Sequence, residues 1–301
     1  MAPGVPSGST MDVSPRAMRG RLVHQARGAW QTTWTATRLF VDDQGLSWAG
    51  AIGLYLFLSV PPFMAAVTWA LGPWFGTDGA EGFVVEQVAK YLPAQQELLE
   101  GVVAAAPDNA LGALASIGLL LFSGSRAFAA LTSAVNVLWR RIDRLTFLRR
   151  QLLRFGLLLV SLVLLAAAGL GEAAIGAIAD GGASDDDLWL LDWQLLPSLL
   201  LVSFLVVAYK LLPREPVSWR HATLGAVAAT VGIRLAQAGL GLMSEAGTFR
   251  TPYGDLADVA LMATWALVVG VIILWCAALV AALDGKRPED GGDEARFSRA
   301  G

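Results

Sequence analysis

The residues able to do chemistry are few and far apart. Arg126, in SGSRAF, and Arg234, with Gln237 one turn further on, fall inside long apolar runs. Glu172 and Asp258 fall nearer the ends of two other such runs. An arginine at mid-bilayer costs about 2.5–3.5 kcal/mol even on insertion scales, so it normally faces protein and finds a partner. At ~1.5 Å per residue, Arg234 would lie roughly 14 Å and Glu172 roughly 10 Å from the outer membrane edge, which matches them as an ion pair. Arg126 would lie deeper, at roughly 20 Å. It is left wanting an anion, which an anionic substrate headgroup or a backbone carbonyl could supply.

The same inventory argues against hydrolysis. The two histidines, His24 and His221, are far apart, and the single cysteine, Cys276, lies in an apolar run. No disulfide, Cys/His metal centre, cofactor or catalytic residue is therefore expected. A ribonuclease would need a carboxylate–histidine metal cluster or an exposed acid–base pair. The triplet Asp185–Asp187 reads more simply as a solvated loop. Neither a P-loop nor a Gly-x-Ser-x-Gly motif is present. We expect no enzyme and no nucleic-acid partner.

The elements that must carry these residues are membrane helices. Of the 301 residues, 55% are hydrophobic and only 16% charged, with a mean hydropathy of +0.55. Apolar runs at 46–71, 110–138, 155–179, 195–212, 222–243 and 256–283 are each long enough to cross a bilayer. The connector at 136–154 carries Arg140, Arg141, Arg144, Arg149, Arg150 and Arg154 against Asp143 alone. The segments assigned to the other side carry only Lys90 and Arg250 as bases. Short loops rich in Lys and Arg stay cytoplasmic. The expected fold is all-α and polytopic: six transmembrane helices with short amphipathic surface helices and both termini cytoplasmic. No cleavable signal peptide is expected.

Within that frame, residues 1–15 read as a disordered tail rich in Pro, Gly and Ser. Residues 16–45 read as an amphipathic helix on the cytoplasmic surface, with Leu22, Ala26, Trp30 and Trp34 at four-residue spacing facing the headgroups. Docking of a partner is the alternative for that face. The six-helix domain fills 46–283, and 284–301 reads as a flexible cytoplasmic tail. Segment 72–109 should form two outer-surface helices, with stripes at Phe83, Val84, Val88, Tyr91, Leu92 and at Leu98, Leu99, Val102, Val103. Pro61 and Pro62 should kink or break the first span, with Ser59 placed to satisfy the freed carbonyls. A packed kink without a transport role is the alternative reading.

Several stretches together resemble a known family. YLFLSVPPF in the first span, AFAALTSAVNVLW before the connector, YKLLP and VSWRHATLGA after the fourth span, and YGDLA before the sixth are similar to signatures of the YihY/BrkB family of bacterial inner-membrane proteins. The resemblance covers about residues 36–283 and places Ser59, Pro62, Asn136, Tyr209, Pro213, Trp219, Gly225, Tyr253 and Gly254 at signature positions. The chain departs from the family at Cys276, Ala277 and Ala278, where Gly-Ala-Glu is common, and at Asp255, where Ser is usual. The resemblance implies an envelope protein, with roles ranging from lipid or amphiphile export to envelope integrity, and carries an older ribonuclease label that these residues do not support.

Together these readings give an expectation. A bacterial inner-membrane protein moves an amphiphilic, anionic molecule through a cavity lined by Arg126, Arg234 and the broken first helix, with membrane lipids as its surroundings. The two arginines on the middle spans of the two halves are a weak echo of inverted repeats. The other reading is a scaffold in which both arginines only hold helices together and the surface helices dock partners. Substrate identity, coupling ion and oligomeric state are not written in the sequence.

Overall fold

The computed structural model describes residues 15–89, 96–105, 109–139, 151–152, 155–161, 163–164, 167, 171, 195–213 and 217–285. The six connector arginines, the acidic loop, Glu172, most of the expected third span and both chain ends lie outside them.

The described chain is helical. Helix α1 (Pro15–Asp42) turns into α2 (Gly45–Phe75) through Gln44, which takes left-handed backbone angles. Gly45 follows because a β-carbon there would meet the Phe40 ring at 2.4 Å and the Phe40 carbonyl at 2.5 Å. Short helices α3 (Thr77–Ala89) and α4 (Gln96–Ala104) lead to α5 (Ala110–Leu138). Asn109 starts α5 by accepting a hydrogen bond from the Gly112 amide at 2.7 Å, an N-cap that satisfies one otherwise orphaned donor. Then come α6 (Leu195–Leu211), α7 (Trp219–Glu245), the short α8 (Arg250–Tyr253) and α9 (Ala257–Leu283).

Helices α2, α5, α7 and α9 are long and apolar enough to cross a membrane, and α6 is a shorter apolar helix. These five coincide with the first, second, fourth, fifth and sixth expected spans within a few residues. Helix α2, at 31 residues, is about 46 Å long against a hydrocarbon core of about 30 Å. Its surplus end carries exposed Trp69, Trp74 and Phe75, as an interfacial aromatic belt requires.

Two packed regions fix which helix ends lie together. One joins Ala36, Leu39 and Phe40 of α1 to the start of α2, the last turns of α5 and α6, the start of α7 and the end of α9. The other joins Met64 of α2 to Val84 and Val85 of α3, Leu99 and Val103 of α4 and Met262 of α9. Two helices expected within 72–109 are therefore present, and Phe83, Val84, Val88, Leu98, Leu99, Val102 and Val103 of their stripes pack with α2; Tyr91 and Leu92 lie outside the described residues. We call the two ends the α1 end and the α3–α4 end.

Two expectations change. Helix α2 runs continuously through Pro61 and Pro62 rather than as two half-helices. The neighbouring α5 and α9 pack along it, and the absence of competing water in lipid lets a helix carry prolines that would break it elsewhere. Helix α1 is also more than a surface element. Trp30 and Trp34 are exposed as predicted, but Ala36, Leu39 and Phe40 are buried in the bundle, and the Trp275 indole donates to Thr37 Oγ1 at 3.3 Å.

Candidate functional site

Built upward from its residues, the expected cavity separates into three places. The first joins α2 to α5. Ser59 Oγ lies 3.1 Å from Ser123 Oγ, with each hydroxyl also near a carbonyl of its own helix: Tyr55 at 2.6 Å for Ser59 and Leu119 at 2.9 Å for Ser123. Prolines at 61 and 62 free the carbonyls four residues back, at Phe57 and Leu58. Ser59 therefore serves a different carbonyl from the two expected, and ties two helices together. Pro62 is buried beside it while Pro61 is exposed.

The second place lies between α6 and α7. Arg234 is half-buried and donates to Ser198 Oγ from Nε at 3.2 Å and from Nη2 at 3.0 Å. Its Nη1 reaches Gln237 Oε1 at 3.5 Å, which brings together the residue and neighbour that helical spacing had placed on one face. The neutral Ser198 was missed because a hydroxyl in an apolar run carries no charge signal. The expected partner Glu172 lies outside the described residues.

The third place is the outward face of α5. Arg126 is exposed, and its guanidinium stands 5.4 Å from the centre of the Phe122 ring, itself 56% exposed. Leu111 and Leu119 continue the same exposed stripe. Among the described residues Arg126 thus faces away from its neighbouring helices, and Arg234 faces α6. The described residues do not bring the two arginines and α2 together at one cavity; Glu172 and most of the expected third span lie outside them.

The signature positions of the chain have structural work to do. Tyr209 is buried and its hydroxyl donates to the Ile273 carbonyl at 2.8 Å, tying α6 to α9. A β-carbon on Gly225 would stand 2.2 Å from Val280 Cγ2 and 3.6 Å from Tyr209 Cδ2, so glycine lets α7 reach both. Pro213 is buried at the end of α6. Exposed Trp219 receives the Lys210 ammonium 4.9 Å above its ring, and the same ammonium donates to the Val217 carbonyl. Asn136 is buried and donates to the Thr132 carbonyl at 2.8 Å. Exposed Tyr253 stacks on Phe249, and Gly254 adopts φ 53°, ψ −124°, which side chains disfavour.

Among the described residues, no group of three His, Cys, Asp or Glu side chains is placed to hold a metal ion. His221 Nδ1 lies 2.6 Å from Asp284 Oδ1, linking the start of α7 to the end of α9.

Comparison with known proteins agrees with the resemblance. The family described as Virulence factor BrkB matches residues 36–300. A UPF0761 membrane protein of Verminephrobacter eiseniae is 27% identical over 283 residues, which cover 91% of this chain and 67% of that one. A UPF0761 membrane protein of Tolumonas auensis is 33% identical over 76 residues, a quarter (25%) of each chain. Another, from Halorhodospira halophila, is 35% identical over 89 residues, 29% of this chain and 20% of its own. No solved structure matches the chain.

Proposed function

The chain belongs to the Virulence factor BrkB family of membrane proteins, and from that premise we propose that it moves an anionic, lipid-like amphiphile across a bacterial inner membrane and so supports envelope integrity. The observation that carries the reading is Arg126: a permanent cation midway along α5, on an exposed and otherwise apolar stripe. Its contact with Phe122 supplies about 0.5–2 kcal/mol, less than the roughly 2.5–3.5 kcal/mol that the charge costs at mid-membrane. An anionic headgroup passing at that depth makes up the difference. Protein chemistry at a titratable or metal site is not part of the reading.

Orientation follows from charge. The chain passes from α5 at the α1 end directly into the six arginines of residues 140–154. The opposite end carries Asp78, Glu81, Glu86 and Glu100 on α3 and α4. We assign the α1 end to the cytoplasm, where the connector also attracts acidic lipids. Six spans with both termini cytoplasmic accord with this assignment.

The test is a reconstituted transport assay. The full chain, in vesicles of phosphatidylethanolamine and phosphatidylglycerol, should speed the movement of a fluorescent acyl-chain phosphatidylglycerol between leaflets, and Arg126→Gln should remove that acceleration. Wild-type protein no faster than empty vesicles would overturn the transport reading. The scaffold alternative predicts instead that loss of the α1 surface does the damage. Because Ala36 and Thr37 are packed into the bundle, that deletion must stop before Gly28 to test docking rather than folding.

A further inference from the structure

The direction in which Arg126 points decides where an amphiphile would travel. Helix side chains lean toward the helix N-terminus, and Arg126 does so, lying over Phe122 one turn earlier. The nearer end of α5 is Leu138, about 18 Å away, while its start at Ala110 is about 24 Å away. The guanidinium therefore leans toward the farther interface and does not snorkel to the nearer one. Among the described residues no carboxylate or hydroxyl lies against it; its neighbour is the Phe122 ring.

A second copy of the chain is a poor occupant for this face. In the described spans carboxylates stand only at the ends, Glu245 closing α7 and Asp258 in the first turn of α9. Neither is at the depth of Arg126. A water-soluble anion is equally poor, because Leu119 and Phe122 around the cation are exposed apolar side chains that lipid tails cover. A lipid satisfies both requirements: its head supplies the negative charge and its tails cover the stripe.

We propose that the outward face of α5 around Arg126 is a binding site for the head of a membrane-resident anionic lipid, a phosphate diester or a carboxylate, whose tails stay in the bilayer beside Leu119 and Phe122. The amphiphile then moves along the outside of the bundle and not through its centre. The direction of movement rests on the transport reading above; the existence of the site does not. Arg suits it because its fixed fork of donors matches phosphate and carboxylate oxygens.

The test reads binding without transport. A photocrosslinking benzoylphenylalanine replaces Leu119 in the full chain, or, as a control on the exposed face of α7, Leu235. Each protein is placed in phosphatidylcholine bilayers containing radiolabelled phosphatidylglycerol or radiolabelled phosphatidylcholine. The proposal expects preferential labelling by phosphatidylglycerol at 119, falling about tenfold with Arg126→Gln, the equivalent of about 1.4 kcal/mol, and partly retained with Arg126→Lys. At 235 there should be no headgroup preference and no effect of Arg126. Equal labelling by both lipids, indifference to Arg126→Gln, a chain-to-chain crosslink in place of lipid, or displacement of the lipid by soluble glycerol phosphate would each overturn it. Crosslinking without lipid movement overturns the transport reading and leaves the site; lipid movement without crosslinking does the reverse.

Discussion

Gly270 on α9 lies so close against Ala49 on α2 that a β-carbon at Gly270 would stand 2.6 Å from the Ala49 carbonyl oxygen. One turn away the relationship is repeated in reverse. A β-carbon on Gly53 would stand 2.8 Å from the Leu267 α-carbon and 2.9 Å from the Ala266 carbonyl oxygen. Ala49 and Gly53, like Ala266 and Gly270, are four residues apart, so each helix offers a small-xxx-small face to the other. In lipid there is no hydrophobic drive between helices, and such faces associate through close backbone packing.

Any side chain at these two glycines must therefore push backbone against backbone. Gly270→Ala and Gly53→Ala should each destabilise the folded protein by about 1–3 kcal/mol, the range for overpacked cores. Gly118 and Gly239 are helical glycines with open space around them; their alanine variants should be neutral or gain up to about 1 kcal/mol of helix propensity. Unfolding of purified variants in bicelles checks the contrast, and equal behaviour of the two pairs would contradict the close approach.

Tyr209→Phe keeps the ring but loses the hydrogen bond to the Ile273 carbonyl, with an expected loss of about 0.5–1.5 kcal/mol. Gly225→Ala should be worse, since its β-carbon meets the short, branched Val280 as well as the Tyr209 ring. Because a β-carbon at Gly225 would also touch the Tyr209 ring, at 3.6 Å, the double variant should depart from additivity. A double-mutant cycle on the unfolding free energy measures the departure; strict additivity would mean that the two contacts are independent.

Much of this was legible before the fold. The bounds of α5 were readable because the polar stretch ending at Asn109 gives way to apolar residues that continue to Leu138. Val84 and Val88 on α3 and Leu99 and Val103 on α4 were readable because helical periodicity alone assigns them to one face. The buried face of α1 was not, because Ala36, Leu39 and Phe40 sit among tryptophans that give an equally periodic stripe on another face. The proline pair does not break α2, because its effect depends on neighbours: α5 and α9 pack along α2 and keep it helical. Intramembrane charges were easy to find, but depth along a helix says nothing about the direction in which they point. Among the described residues Arg126 is exposed on α5, while Arg234 turns toward Ser198 on α6.

Ser59→Ala and Ser123→Ala remove the same tie between α2 and α5. A hydroxyl has one proton to donate, and each serine also lies near a carbonyl of its own helix, so the shared bond is a modest contributor. The expected loss is about 0.6 kcal/mol per variant, the average for such bonds in membranes. The double variant should lose little more than either single one. Bicelle unfolding supplies the measurement, and a loss several times larger would mean that these hydroxyls also serve the carbonyls freed by the prolines.

Substitutions at the two arginine sites, one at the partner of Arg234 and one at Arg126 itself, should shift stability with opposite signs. Ser198→Ala takes an acceptor from both Nε and Nη2 of the half-buried Arg234 guanidinium, so stability should fall by about 0.6–1.7 kcal/mol, the measured span for intramembrane hydrogen bonds. Arg126→Leu removes a charge that costs about 2.5–3.5 kcal/mol at mid-membrane and gives up a cation–π contact of about 0.5–2 kcal/mol. The difference, about 0.5–3 kcal/mol, favours leucine, so this variant should be at least as stable as wild type in a bilayer free of acidic lipid. Adding phosphatidylglycerol should narrow that gap, because a lipid that binds only the arginine form stabilises only that form. Unfolding free energies of both proteins, in bicelles with and without phosphatidylglycerol, test the pair of expectations. A stability loss in Arg126→Leu as large as that in Ser198→Ala, independent of acidic lipid, would place the Arg126 charge in a bond within the bundle and remove the basis for an outward lipid site.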